Sequence, residues 1–202
     1  MSIVFESSYD QVFDTQRYFR LVMDAMARPG KIQQLPGLRF DPPPGLNPYA
    51  VGIAITLMDN ETTFSLLPDR QFWREYLRLN TGSRPVELGQ AEFVLVEGGL
   101  DLAEMASLNR GSLQFPERST YLILMVEGIT EDEGSGLSLQ IQGPGIRHKR
   151  RVNLTGLMGI NLLRLMVLNR EFPLGIEAII VDRNGRLICL PRSSRFRWKE
   201  AD

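Results

Sequence analysis

Short strand-like runs alternate with segments of helical periodicity along this chain, and that alternation restricts it to an α/β fold. Ser119 to Val126, rich in Tyr, Ile, Leu and Val, is the clearest strand. Phe93 to Glu97 reads as a buried strand, and Thr63 to Leu67 as another after the Asp59-Asn60-Glu61 turn. Leu137, Leu139 and Ile141 alternate with polar residues, as a half-buried strand does. Ile176 to Val181 and Arg186 to Leu190 form a hairpin around Asp182-Arg-Asn-Gly185, a turn tolerant of positive backbone angles. A short strand, Lys31 to Leu35, and an extended run, Ile146 to Val152, complete the set.

The helical segments lie between these runs. Thr15 to Ala27, capped by Asp14, repeats apolar residues at Phe19, Val22, Met23 and Met26 and stops at Pro29-Gly30. Asn47-Pro48 reads as a cap and first-turn proline for a helix to Met58, although Val51, Ile53 and Ile55 leave a strand open. Asp69 to Leu79 places Phe72, Trp73, Tyr76 and Leu77 on one face. A short helix begins at Asp101 and Glu104 and ends near Gly111. Leu157 to Leu168 is apolar on nearly all sides, which predicts cover on several faces. No repeat or linker interrupts the chain. The expectation is one α/β domain over 1–202, a mixed sheet flanked by helices, with 195–202 a flexible basic and aromatic tail.

The residue inventory limits the chemistry. There are one histidine (His148) and one cysteine (Cys189) in 202 residues. A zinc site usually takes three or four His or Cys ligands, and an acyl-transfer triad needs a nucleophile, an imidazole and an orienting acid. No catalytic, cofactor-binding or metal-ligating residue is assigned. Cys189, between Ile188 and Leu190, reads as a core thiol. Formal net charge is −1, which gives no general attraction to nucleic acid or anionic lipid. The N-terminus lacks the basic start and apolar core of a secretory signal, and no apolar run reaches the ~20 residues of a membrane span. The cytoplasm is the expected compartment.

Arg147-His-Lys-Arg-Arg151 is the only dense basic run. If extended, it projects Arg147, Lys149 and Arg151 to one side and His148 and Arg150 to the other. Two readings stand: a face for a polyphosphate or an acidic partner, or an edge strand that charge protects from unwanted pairing. Gly143-Pro-Gly145 matches neither a P-loop nor a dinucleotide fingerprint; it reads as a turn, with amides aimed at an anion as the alternative. Of the three lysines, Lys149 alone has neighbouring cations that would lower an amine pKa toward Schiff-base chemistry.

Five motifs occur in order: Phe19-Arg-Leu-Val-Met-Asp-Ala-Met-Ala-Arg-Pro-Gly30, Thr56-Leu-Met-Asp-Asn-Glu-Thr62, Gly143-Pro-Gly-Ile146, Phe172-Pro-Leu-Gly-Ile176 and Leu190-Pro-Arg-Ser-Ser194. Together they resemble the PhnH family, a subunit of the bacterial carbon–phosphorus lyase core complex, from Asp14 to Ser194. Glu177 stands where the family often has aspartate, and Ser193-Ser194 where it often has threonines. The resemblance implies a fold similar to the large domain of pyridoxal-phosphate-dependent transferases, without the cofactor. It implies a cytoplasmic assembly with the G, I and J subunits, docking chiefly on the I subunit, and a homodimer when isolated. With the G, I and L subunits, such a chain would support transfer of the ribose triphosphate unit of ATP to methylphosphonate in phosphonate catabolism. The chain would assist without being active alone. Arg147, His148, Lys149, Arg150, Arg151 and Arg192 are the candidates for contact with an anion or a partner. A standalone pyridoxal- or nucleotide-dependent transferase is the rival reading.

Overall fold

Asp10, rather than Asp14, starts the first helix. Its carboxylate accepts the amides of Val12 and Phe13 at 2.9 and 2.8 Å, while Asp14 accepts the amide of Asp10 at 3.0 Å. This reciprocal arrangement satisfies donors that a helix start leaves without partners. The computed structural model describes residues 3–132 and 134–201. Helix α1 spans Phe13–Ala27 and buries Tyr18, Val22 and Ala25. Phe19 and Met23, expected on the inner face, are exposed. Strand β1 is only Gln33–Gln34, shorter than the run from Lys31 to Leu35.

Helix α2 (Pro48–Leu57) begins as its cap predicts. The Asn47 side-chain oxygen accepts the amides of Tyr49 and Ala50 at 2.8 and 3.3 Å. After β2 (Thr63–Leu67), helix α3 (Gln71–Thr81) buries Trp73, Tyr76 and Leu77 but leaves Phe72 exposed. Strands β3 (Arg84–Pro85) and β4 (Phe93–Glu97) follow. The helix expected from Asp101 is a 3-10 segment, Ala103–Ser107. Then come β5 (Tyr121–Met125), β6 (Gly128–Thr130), β7 (Gly136–Gln142), β8 (Arg150–Thr155), α4 (Gly159–Leu168), β9 (Glu177–Val181), β10 (Arg186–Leu190) and β11 (Arg195–Ala201). No helix among the described residues is long and apolar enough to cross a membrane.

These elements form three layers. The main sheet has seven strands in the order β1-β10-β9-β5-β4-β2-β3. Its centre, β9-β5-β4-β2, is parallel, and β10 and β1 add antiparallel pairing at one edge. Successive strand residues point to opposite faces. Phe93, Leu95, Ile123, Ile179 and Cys189 pack with α1, α2 and α3. Val94, Val96, Leu122, Leu124, Ile180 and Ile188 pack with α4 and the inner face of a second, antiparallel sheet ordered β11-β7-β8-β6. A mixed sheet in an α/β chain was expected; the second sheet covering one of its faces was not.

Three expectations about the outer elements are corrected. Residues 195–201 are a strand rather than a flexible tail, with β11 antiparallel to β7 from Arg195 opposite Gln142 to Ala201 opposite Gly136. Phe196 is buried and Trp198 packs on the core, alternating with Arg195, Arg197 and Lys199 outside. Asp202 lies outside the described residues. The run from Ile146 to Val152 becomes strand only at Arg150, so Arg147, His148 and Lys149 lie in the β7–β8 connection and do not alternate across a sheet. Helix α4 buries Asn161, Leu162, Leu165 and Leu168 but exposes Ile160, Leu163, Met166 and Val167, so it is covered on one side only.

Candidate functional site

The β7–β8 connection holds its course because a glycine sits at its tightest point. Gly145 has φ +79°, and a Cβ there would lie 2.0 Å from the Ala27 carbonyl at the end of α1. Only glycine adopts that backbone angle without penalty and allows the close approach. The connection therefore lies against the end of α1 and presents Arg147, His148 and Lys149 to solvent. Arg150 is half-buried, and Arg151, opposite Gln140 on β7, is exposed.

Arg192 belongs to a different place. It is an internal fastener rather than part of a basic surface. Its Nε donates to Glu177 Oε1 at 2.5 Å, its Nη1 to the Pro116 and Pro173 carbonyls at 2.6 and 3.1 Å, and its Nη2 to Ser119 Oγ at 2.6 Å. Its own amide donates to Glu177 Oε2 at 2.9 Å. The side chain is 10 % exposed and that of Glu177 15 %, so the guanidinium ties the β4–β5 and α4–β9 connections to the start of β9. The structure thus places Arg192 apart from the 147–151 run, with its guanidinium hydrogen-bonded inside the molecule.

Of the predicted residues, Lys149 enters a concavity. Lys149, Arg170, Arg195 and Arg197 line a cavity of about 520 Å³ together with Gln140, Gln142 and Ser194. Met166 and Phe196 supply its apolar wall. No carboxylate lines it, and none of the four cations forms an ion pair among the described residues. Ser194 is buried, and its hydroxyl has no hydrogen-bond partner among the described residues. Arg170, just past α4, and Arg195 and Arg197 on β11 went unseen as site residues. Reading the alternation Arg195-Phe-Arg-Trp-Lys199 as a strand would have placed two of them.

A second cleft, about 470 Å³, lies at the carboxyl ends of β4 and β5, between Glu97, Glu127, Arg183 and the turn at Gly98. Ligands of open α/β sheets commonly occupy that end. Here its charges are internally matched: Arg70 pairs with Glu97 at 2.8 Å and Arg183 with Glu127 at 3.1 Å. Asn161 anchors α4 beside it, donating to the Gly98 and Leu100 carbonyls at 3.2 and 2.7 Å and accepting the Leu102 amide at 3.1 Å.

The buried titratable groups serve structure. Burial pushes the Cys189 thiol well above its usual range, and the Glu177 carboxylate adds to the shift, so little reactive thiolate forms near neutral pH. Tyr76 is raised by burial and by its hydrogen bond to Glu6, and Tyr18, which donates to the Pro36 carbonyl at 2.8 Å, is raised chiefly by burial. Buried Asp182 accepts the amides of Ile129, Asn184 and Arg186 at 3.0, 2.8 and 2.8 Å, which fixes the β9–β10 turn and joins it to β6. Among the described residues, no group of three or more His, Cys, Asp or Glu could hold a metal ion.

The chain is thus a three-layer α/β domain with a basic hollow and exposed apolar residues on α1 and α4. The model of the family described as bacterial phosphonate metabolism protein (PhnH) matches residues 7–197, and the chain belongs to that family. It is 32% identical over 191 residues to the alpha-D-ribose 1-methylphosphonate 5-triphosphate synthase subunit PhnH of Rhizobium meliloti (strain 1021), covering 93% of this chain and 92% of that protein. It is 28% identical over 186 residues to the putative C-P lyase subunit protein HtxG of Stutzerimonas stutzeri, covering 92% of this chain and 87% of that one.

Proposed function

We propose that this chain is a subunit of an alpha-D-ribose 1-methylphosphonate 5-triphosphate synthase of the carbon–phosphorus lyase system. In this reading it assists the transfer of ribose triphosphate from ATP to methylphosphonate without holding the reaction centre. The observation that carries the reading is the nearly full-length similarity to a synthase subunit. Its partners are the G, I and L subunits in synthesis and the J subunit in the wider core, with the I subunit as the main docking partner. The isolated chain is a homodimer, and the assembly works in the cytoplasm. The fold is that of the large domain of pyridoxal-phosphate-dependent transferases, used without the cofactor; Lys149 sits at a solvent-facing rim.

Surface chemistry supports association. Helical spacing puts Ile160, Leu163 and Val167 on one open face of α4, and Phe19 and Met23 on one open face of α1. Exposed apolar surface of this kind marks interaction sites in soluble proteins. The test is affinity capture of the tagged chain from its host grown on a phosphonate as sole phosphorus source. The G, I and J subunits are expected in stoichiometric yield; recovery of the chain without them contradicts the reading.

A further inference from the structure

We propose that the hollow formed by the β7–β8 connection, the end of α4 and the start of β11 is a binding site for a polyphosphate anion. It is assembled from three parts of the chain far apart in sequence: Lys149, Arg170, and Arg195 with Arg197. Four like charges converge on one concavity with no carboxylate in its wall and no ion pair to any of them among the described residues. Elsewhere the protein pairs its arginines readily, as at Arg70–Glu97, Arg164–Asp101 and Arg183–Glu127. Like charges held together without a counter-charge repel one another, and an anion entering the hollow relieves that repulsion.

Charge and size narrow the class of ligand. A single phosphate group carries about −1.5 to −2 near neutral pH, too little to balance four cations, whereas two or three linked phosphates match them. The cavity of about 520 Å³ lies within the range of roughly 300–1,000 Å³ usual for small-molecule sites. Three of the four cations are arginines, whose planar fork suits phosphate oxygens. The amide side chains of Gln140 and Gln142 line the same wall and can donate. Ser194 is 8 % exposed, and its buried hydroxyl lacks a hydrogen-bond partner among the described residues. The site requires β11 to be in place, since two of its cations come from that strand.

This inference stands apart from the assembly reading, because it concerns what the purified chain binds by itself. The test is titration calorimetry of the full chain with inorganic tripolyphosphate, and separately with ATP, in the wild type and in an Arg170→Gln/Arg195→Gln/Arg197→Gln variant. Arg78→Gln on the far helix layer serves as control. Saturable tripolyphosphate binding that falls with ionic strength is expected. The triple variant should bind at least thirtyfold more weakly at an unchanged melting temperature, and the control within twofold of wild type. ATP equal to tripolyphosphate supports a site that reads phosphates alone, and tighter ATP supports one that also holds the nucleoside. Absence of saturable tripolyphosphate binding at millimolar concentration, or equal binding by the triple variant, overturns the proposal. So does a triple variant that loses only a partner subunit while tripolyphosphate never binds, since the hollow would then receive an acidic protein surface.

Discussion

Arg192 donates from within the fold to Glu177, Pro116, Pro173 and Ser119. It lies in the Leu190-Pro-Arg-Ser-Ser194 motif, and nothing local tells whether its guanidinium faces solvent. Its partners, Glu177, Pro116, Pro173 and Ser119, come from segments that only the folded sheet brings together. Removing one member of such a largely buried pair leaves the other charge without compensation, which costs about 3–5 kcal/mol. Arg192→Ala is therefore expected to lower unfolding free energy by about that amount in urea titrations. Arg192→Lys should recover less than half, because an ammonium cannot reproduce the forked contacts. Cys189, Tyr18 and Tyr76 predict a pH response. Folding raises the pKa of each, so each keeps its proton when folded and releases it more readily when unfolded. Their stabilisation is complete below the unfolded values, about 8.5 for the thiol and about 10 for the phenols, and is lost as pH rises above them. Melting temperature should thus decline above about pH 8.5, and a thiol reagent at pH 8 should modify Cys189 only on unfolding.

At the scale of elements, local pattern was legible where local chemistry decides. β2 and β4 fall on the residues their composition predicts, Asn47-Pro48 caps α2 through its own side chain, and Asp182 turns the β9–β10 hairpin. Misreadings cluster where a distant element decides. The fate of Arg195-Phe-Arg-Trp-Lys199 depends on β7 offering an edge, so its period of two alone does not separate a strand from a basic tail. The α4 segment reads apolar all round, but the fold supplies cover for one side only. The candidate site was legible in part for the same reason: Lys149 stood out in a charge run, while Arg170 and the β11 arginines join it only through tertiary pairing. The open face of α4 carries its own prediction. Leu163→Glu/Val167→Glu should change stability by only about 0.5 kcal/mol, as surface substitutions usually do. Capture of sister subunits should weaken by at least tenfold, in line with roughly 2 kcal/mol for an interface anchor. Unaltered capture would remove α4 from the interface.

At the scale of the molecule, the main sheet lies between two different covers: helices on one face, and a small sheet with α4 on the other. Cys189 faces the helix layer, and its thiol is closed to chemistry by burial. The apolar residues exposed on α1 and α4 and the basic hollow are left on the surface. In the proposed function the chain assists a reaction carried out together with sister subunits. The most direct measurement is product formation from ATP and methylphosphonate with three preparations: the purified chain alone, the G, I and L subunits without it, and all four together. Full turnover is expected only for the complete set, and none for the chain alone. Turnover by the isolated chain at the rate of the complete set would contradict that expectation.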